Sequence, residues 1–481
     1  MPALTTPPAT AILTPADPGW DDARQAWNLS VDQRPAAVAV PRSADDVAAA
    51  VGFARRRGLR VAAQGTGHGA APLGPLADTV LIRTHAMRRV RIDPVARTAR
   101  AEAGAVWRDV VEAAARHGLA ALAGSSPEVG VAGYTLGGGM SWLGRAYGLS
   151  ANNVETIELV TADGRFVRVD ACSEPDLFWA LRGGGGSFGV VTSIELRLFP
   201  ITEVYAGLLW WPIEASEQVL QAWRALTQSG VPDEFTTFFR FLRLPPLPGI
   251  PEPVGGRRFA VVDVVHLGTP AEADQLIAPL RALQPVTDTI QTIPMRALSD
   301  LHSDSAHPVP GVGDGLMLTS LPPTAADTLI RVAGTGTASV LTAVELRHAG
   351  GEMRRVRPGS GALAAIHADY ALFAAGVAPT PAAARAVACG VTAVTSAMAS
   401  WATSQMDLNL AETSRDPRSF WTPEAYDRLC RIKAAVDPGN LIRSNHPIPP
   451  APGRRADAPR TGAHRSQPHS LNCQLPRSTP R

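Results

Sequence analysis

Gln64–Ala70 reads QGTGHGA and follows a short run, RVAA, that reads as a strand. Glycines at 65, 67 and 69 permit positive φ and let the backbone approach a bulky group closely. Successive N–H groups in such a loop converge on an anion, so the stretch is a candidate phosphate cradle. A dinucleotide fingerprint would need GxGxxG opening a helix and an acidic residue on the following strand. Here APLGPLAD follows, which cannot start a helix. Taken alone, His68 reads as a surface loop histidine, because loops tolerate His freely.

Upstream, AAVAVPRSADDVAAAVGFARRRGLR predicts strand, helix and strand leading into that loop. Ser43 caps the helix with Asp45 and Asp46 in its first turn, Arg55, Arg56 and Arg57 fall in the last, and Gly58 stops it. Downstream come a strand near Ala99–Ala103, a helix from about Val106 to His117, and the glycine-rich GSSPEVGVAGYTLGGGMSWLGRAYG. Val154 to Val169 predicts a hairpin around Asp163-Gly164. Ser173 with Asp176 reads as a capping-box start to a short helix, and VVTSIELRL alternates like a half-buried strand. Beyond Pro200, LLWWPI, RRFAVVDVV, SVLTAVELR and a helix near Ser216–Gln228 predict an antiparallel sheet with helices on it. LPPLPGIPEPVGG is a proline-rich gap, Pro423–Val436 a helix, and the tail from Ala451 has almost no apolar residues and is expected to be disordered.

Size and composition bound the class. The chain has 481 residues, is 45% hydrophobic and 18% charged, and carries a net charge of +2. This is a globular composition long enough for two or three domains, with no electrostatic reason to expect nucleic acid or an anionic membrane as partner. Cys172, Cys389, Cys430 and Cys473 show no metal-ligand spacing, so no metal is expected, and such sparse cysteine suits a reducing cytoplasm. The first residues lack the basic and apolar regions of a signal peptide, and no apolar run comes near the roughly 20 residues of a membrane helix.

Four segments in order, QGTGHGA, GLSANNVETIELVTADG, DLFWALRGGGGSFGVVTSIELRL and YDRLCRIKAAVDPGNLIRSNHPIPP, resemble the berberine bridge type of FAD-linked oxidases, within the vanillyl-alcohol oxidase superfamily. The resemblance is specific over about residues 20 to 200 and 420 to 450 and holds only in outline between them. It implies an α+β fold: a PCMH-type FAD-binding domain in two subdomains, and a substrate domain with an antiparallel sheet covered by helices. The implied division is a flexible arm (1–19), the FAD-binding domain (20–200), the substrate domain (201–419), a return to the FAD domain (420–450) and the tail (451–481). The family's flavin-linking histidine of an (R/Q)xxGH loop falls on His68, implying an 8α-histidyl bond. Its second anchor, a cysteine in AGxCPxVGxGG, falls on Ser126, a nucleophile too weak for that link, so the flavin is expected to be mono-covalent.

Other site residues follow from the same resemblance. Gln64, Gly65, Thr66, Gly67, His68 and Gly69 bind the pyrophosphate. Ser125, Ser126, Val129, Gly130, Gly133, Gly137 and Gly138 line the ring and ribityl chain. Val190 or Val191 bonds the adenine side through backbone groups, and Asn445 lies near the flavin. Val129 sits where the family controls oxygen access, and valine there resembles oxygen-reactive members. Tyr134 falls near flavin N1 and C2=O, where a phenol could stabilise negative charge, unless it is simply a packing residue.

The family's YxNY-like segment appears as Met406-Asp407-Leu408-Asn409-Leu410, where the asparagine aligns and both tyrosines are gone. Asp407 serves as base if burial raises its pKa; otherwise it is a solvated loop aspartate. In VELRHAGG, strand alternation sends Glu345 and Arg347 to one face and His348 to the other. Facing the cofactor, Glu345 is a base held by a cation; facing outward, the two are an ordinary surface pair. His367 and Tyr370 are weaker options, and Trp210 and Trp211 point to opposite faces, one toward the pocket and one toward the core. The implied reaction is oxidation of a small-molecule alcohol, amine or activated C–H, of the kind found in secondary metabolism, with O₂ as acceptor. The alternatives are a dehydrogenase with another acceptor, or a redox-neutral flavoprotein such as a cyclase.

Overall fold

A computed structural model describes residues 12–244, 256–337 and 339–452. The proline-rich gap and nearly all of the expected tail lie outside the described residues, as do the first eleven. Ser43 opens the helix Ala44–Arg56 by accepting a 3.2 Å bond from Asp46 N, and Gly58 follows the helix with φ +64. Val47, Ala50, Val51 and Ala54 form its buried stripe. The stripe packs on a five-stranded sheet ordered Ile12–Leu13, Ala37–Ala39, Thr79–Arg83, Arg60–Gln64, Ile442–Arg443. All of its strands but Ile12–Leu13 run parallel. Part of the expected loose arm is therefore structured, since Ile12 and Leu13 pair with Ala39 and Val38.

A second sheet, antiparallel, is ordered Val90–Asp93, Thr98–Glu102, Val190–Arg197, Val154–Val160, Phe166–Val169. The hairpin around Gly164, at φ +89, is present. Val190–Arg197 is the central strand and is buried except at Glu195 and Arg197, not half-buried as its alternation suggested. Position in a sheet is not a local property, and both faces of a middle strand are covered. The short helix that precedes this strand is Pro175–Leu181. Pro175 at its first position starts it, while Ser173 Oγ donates to Arg168 O at 3.3 Å and caps nothing.

The third sheet, eight-stranded among the described residues, runs from Glu203 to Val377, and its pairings are antiparallel. The helices Ser216–Gln228, Pro270–Arg281, Pro323–Ala333 and Pro381–Met398 cover one face over a core that includes Trp211, Trp223, Phe235 and Phe239. The α+β reading holds. The stretch Pro381–Trp401, 21 residues, is long and apolar enough to cross a membrane, contrary to the expectation that no run approached that length. It buries Val387, Val391, Val394 and Met398 on the sheet. Trp211 joins the same core and Trp210 packs on Phe259, so neither reaches the cavity described below.

Two buried cations tie these parts together. Lys433 Nζ, in the helix Pro423–Val436, donates to Ser187 O (2.7 Å), Ile442 O (2.9 Å) and Asp437 Oδ2 (2.5 Å). Arg145 donates to the carbonyls of Phe235 (2.8 Å), Ala349, Val231 and Pro232, joining the short helix Gly144–Tyr147 to the third sheet and the loops beside it.

Candidate active site

The strand Arg60–Gln64 runs parallel to its neighbours, and the loop beyond its carboxyl end opens a cavity of about 380 Å³. Ligands of parallel sheets bind at that end of the strands. Gly67 has φ +91, and a Cβ there would lie 2.9 Å from Ala26 Cβ, so glycine is required. Gln33 donates to Gln64 Oε1 at 2.9 Å, which leaves Gln64 Nε2, buried without a partner, as a donor on the cavity wall. His68 stacks on Trp27 with centroids 4.4 Å apart, and its Nδ1 lies 2.8 Å from Thr66 Oγ1. Burial pushes its pKa down to about 3, which keeps the imidazole neutral and nucleophilic.

The structure brings Gln64 through Gly69 together on the cavity wall with Ser125, Ser126, Val129, Gly130, Gly133, Tyr134, Gly137, Val191 and Asn445. It does not bring Gly138, Val190, Asp407 or Glu345 there. Gly138 turns the chain at φ +114, with Leu363 where its side chain would be. Val190 and Val191 point to opposite faces of one strand, and Val190 goes into the core beneath the helix Ala44–Arg56. Tyr370 bonds Thr227 at 2.8 Å in the helix-covered core, and His367 is exposed.

The Glu345 face of its strand does turn inward, and Arg347 reaches the cavity over the Phe238 ring at 5.3 Å. Glu345 stops behind it, ion-paired to Arg347 Nε, so it supports a cation and does not meet a substrate. Asp407 is 3% exposed; Oδ1 accepts from Asn409 N at 2.8 Å and Oδ2 has no partner. Burial raises its pKa to about 6, but it sits behind the wall made by Leu408 and Asn409. Asn409 Nδ2 donates to Tyr134 O at 3.0 Å, and a Cβ on Gly137 would strike its Oδ1. Tyr134 presents a buried hydroxyl without a partner, and burial raises its pKa, with the Asp407 charge adding and Arg347 opposing.

Phe373, Leu408, Leu410, Ala411 and Glu412 complete the wall on the side of the third sheet, and Arg443 and Ser444 on the side of the first. Glu412 went unread in the sequence. It lies two residues beyond the YxNY-like segment, and its half-buried setting depends on a strand distant in sequence. Burial, reinforced by the charge of Asp314, raises its pKa to about 7.

The residues present fit a flavin dinucleotide: a glycine-lined anion cradle at one end, a neutral histidine, and orphaned Gln64 and Tyr134 donors along the wall. Among the described residues no His, Cys, Asp or Glu cluster could hold a metal ion. Comparison with known proteins agrees. Residues 35–170 match the family described as FAD binding domain, and residues 408–449 match "Berberine and berberine like". The (R)-6-hydroxynicotine oxidase of Paenarthrobacter nicotinovorans is 35% identical over 207 residues, 43% of this chain and 45% of that protein. The glucooligosaccharide oxidase of Sarocladium strictum is 34% identical over 224 residues, 45% of each. The matched stretch thus spans a little under half the length of these curated relatives. In three dimensions the likeness extends further. The 6-hydroxy-D-nicotine oxidase structure from Arthrobacter nicotinovorans superposes with TM-score 0.75 at 27% identity, covering 91% of this chain and 97% of that one. Physcomitrella patens BBE-like 1 superposes with TM-score 0.79 at 21% identity, covering 92% and 97%.

Proposed function

We propose that the chain, which matches the FAD binding domain family over residues 35–170 and the berberine-like family over residues 408–449, is an FAD-dependent oxidase of a small molecule, its flavin held covalently by His68. The observation that carries this reading is the placement of the His68 imidazole, fixed by Thr66 and Trp27 on the wall of a glycine-lined cavity. When bound, the flavin supplies a two-electron acceptor for a substrate hydride. The backbone of Gln64–Gly69 and the free Gln64 amide bind the pyrophosphate. Tyr134 and Arg347 hold donors toward the ring and the substrate, and Leu408, Leu410 and Phe373 exclude water there. Ser126, on the wall where a second thiol anchor would stand, leaves the attachment single. Oxygen is the proposed acceptor of the electrons, supported by the small Val129 side chain on the wall.

The test begins with purified protein. Acid-denatured protein should stay yellow, and one flavin peptide containing QGTGHGA should follow digestion. A panel of amines, alcohols and sugars, headed by 6-hydroxynicotine and glucooligosaccharides after the relatives, should contain a compound that bleaches the flavin without air. Admitting air should restore the colour with release of H₂O₂, more slowly in Val129→Leu. Flavin that washes off completely in acid removes His68 as the link; bleaching that air does not reverse removes oxygen as the acceptor.

A further inference from the structure

One segment, Leu408–Glu412, supplies the wall next to Phe373, and it lies across the edge strand Gly311–Leu318. Glycines 311, 313 and 315 share one face of that strand. A Cβ at Gly315 would meet the Leu410 Cβ and carbonyl oxygen at 3.1 Å. A Cβ at Gly313 would meet Glu412 Oε2 at 3.2 Å and Phe373 Cζ at 2.8 Å. The bare strand face is therefore the slot in which the Glu412 carboxyl lies, beside an aromatic ring and on the cavity wall.

Asp314, between the two glycines, fixes the segment by accepting bonds from Glu412 N (3.2 Å), Thr413 Oγ1 (2.7 Å) and Arg415 Nη2 (2.8 Å). The charged and titratable groups around Glu412 are thus Asp314, paired to Arg415, and His446, which donates to Ala411 O at 3.1 Å and is kept neutral by burial. Arg347 stands farther along the wall. Of the carboxylates weighed for the reaction, Glu345 and Asp407 are both screened from the cavity, whereas Glu412 opens into it.

We propose that Glu412 is the proton acceptor of the reaction, facing the hydroxyl or protonated amine of the substrate from the slot above Gly313. This rests on the oxidase reading given above. Oxidation of H–C–X–H to C=X removes a hydride from carbon, taken by the flavin, and a proton from X. The Glu412 carboxylate takes that proton, becomes a neutral carboxylic acid, and returns the proton to water before the next turnover. A base whose pKa lies near the working pH suits this task. Glu412, raised to about 7 in its slot on the cavity wall, meets that condition.

The test uses the flavin-loaded protein and the first panel compound that bleaches it. Anaerobic flavin reduction in the wild type should rise with pH through an acid limb near 7. Glu412→Gln should abolish that limb and slow reduction on the order of 10²-fold, with covalent flavin retained. Asp314→Asn, which removes the like charge, should move the limb to lower pH. Asp407→Asn and Glu345→Gln should leave the limb in place whatever they do to the rate. Independently of turnover, ¹³C NMR of protein labelled at the glutamate carboxyl carbon should show one titration near pH 7 that is missing in Glu412→Gln. A wild type that reduces its flavin while Glu412→Gln matches it in rate and limb overturns the proposal alone, as does the absence of that ¹³C titration. A wild type that no compound bleaches overturns the oxidase reading, and this proposal with it.

Discussion

In the proposed attachment of the flavin, His68 and Thr66 would divide the work. The Thr66 hydroxyl, 2.8 Å from Nδ1, fixes which way the ring faces, and stacking on Trp27 fixes its plane. His68→Ala should hold FAD without a covalent bond, and Thr66→Val should slow attachment while leaving binding intact; in-gel flavin fluorescence after denaturation reads both. Asp407 makes a different prediction. Its pKa is raised by burial from the usual 3.8 to about 6, so the stability it lends is whole below pH 3.8 and is lost as pH climbs through 6. That gap corresponds to about 3 kcal/mol. Asp407→Asn keeps an oxygen for the Asn409 amide and escapes the loss. Its advantage over wild type in urea melts should therefore be small at pH 4 and approach that figure at pH 8; an equal advantage at both would mean the carboxyl is solvated. The cradle was legible because Gly65, Gly67 and Gly69 carry backbone chemistry in their identity. The carboxylate at the reaction end was not, because Glu412 owes its setting to a glycine on another strand, Gly313.

The elements that sequence located best are those whose ends are chemically marked. Thr422 accepts from Ala425 N and Pro423 opens the helix that runs to Val436, as read. The strand Val190–Arg197 was misjudged because alternation measures one chain and burial depends on neighbours on both sides. Lys433 joins its own helix to the strand Ile442–Arg443 and to the loop at Ser187 through one ammonium group. It is fully buried, and the Asp437 carboxylate it meets also accepts from Leu441 N and Ile442 N at 2.8 Å. Removing one partner of a buried ion pair costs about 3–5 kcal/mol, because the other charge stays behind. Lys433→Met should lose about that much in chemical denaturation. The double variant Lys433→Met/Asp437→Asn should lose less than the sum of the two single changes.

At the scale of the molecule, the junction between the short helix Gly144–Tyr147 and the third sheet with the loops beside it turns on Arg145, 4% exposed and bonded to four carbonyls. A lysine has three donors and no fork, and each buried carbonyl left unmet costs about 1–3 kcal/mol. Arg145→Lys should therefore lower the denaturation midpoint and speed amide exchange around Val231–Phe235 and Ala349. Nothing in the sequence near Arg145 announced this role, since its partners lie up to 204 positions away. The first sheet carries the same non-locality into the making of the protein. The strand leading into the histidine loop emerges from the ribosome early, yet its neighbour Ile442–Arg443, with Ser444 and Asn445 behind it, emerges late. Until then one edge of Arg60–Gln64 is bare and open to foreign strands, and the cofactor has only part of its seat. Flavin capture therefore waits on translation past Asn445. Cells short of the cofactor would accumulate full-length apoprotein, while ribosome-stalled fragments would carry the histidine but no colour.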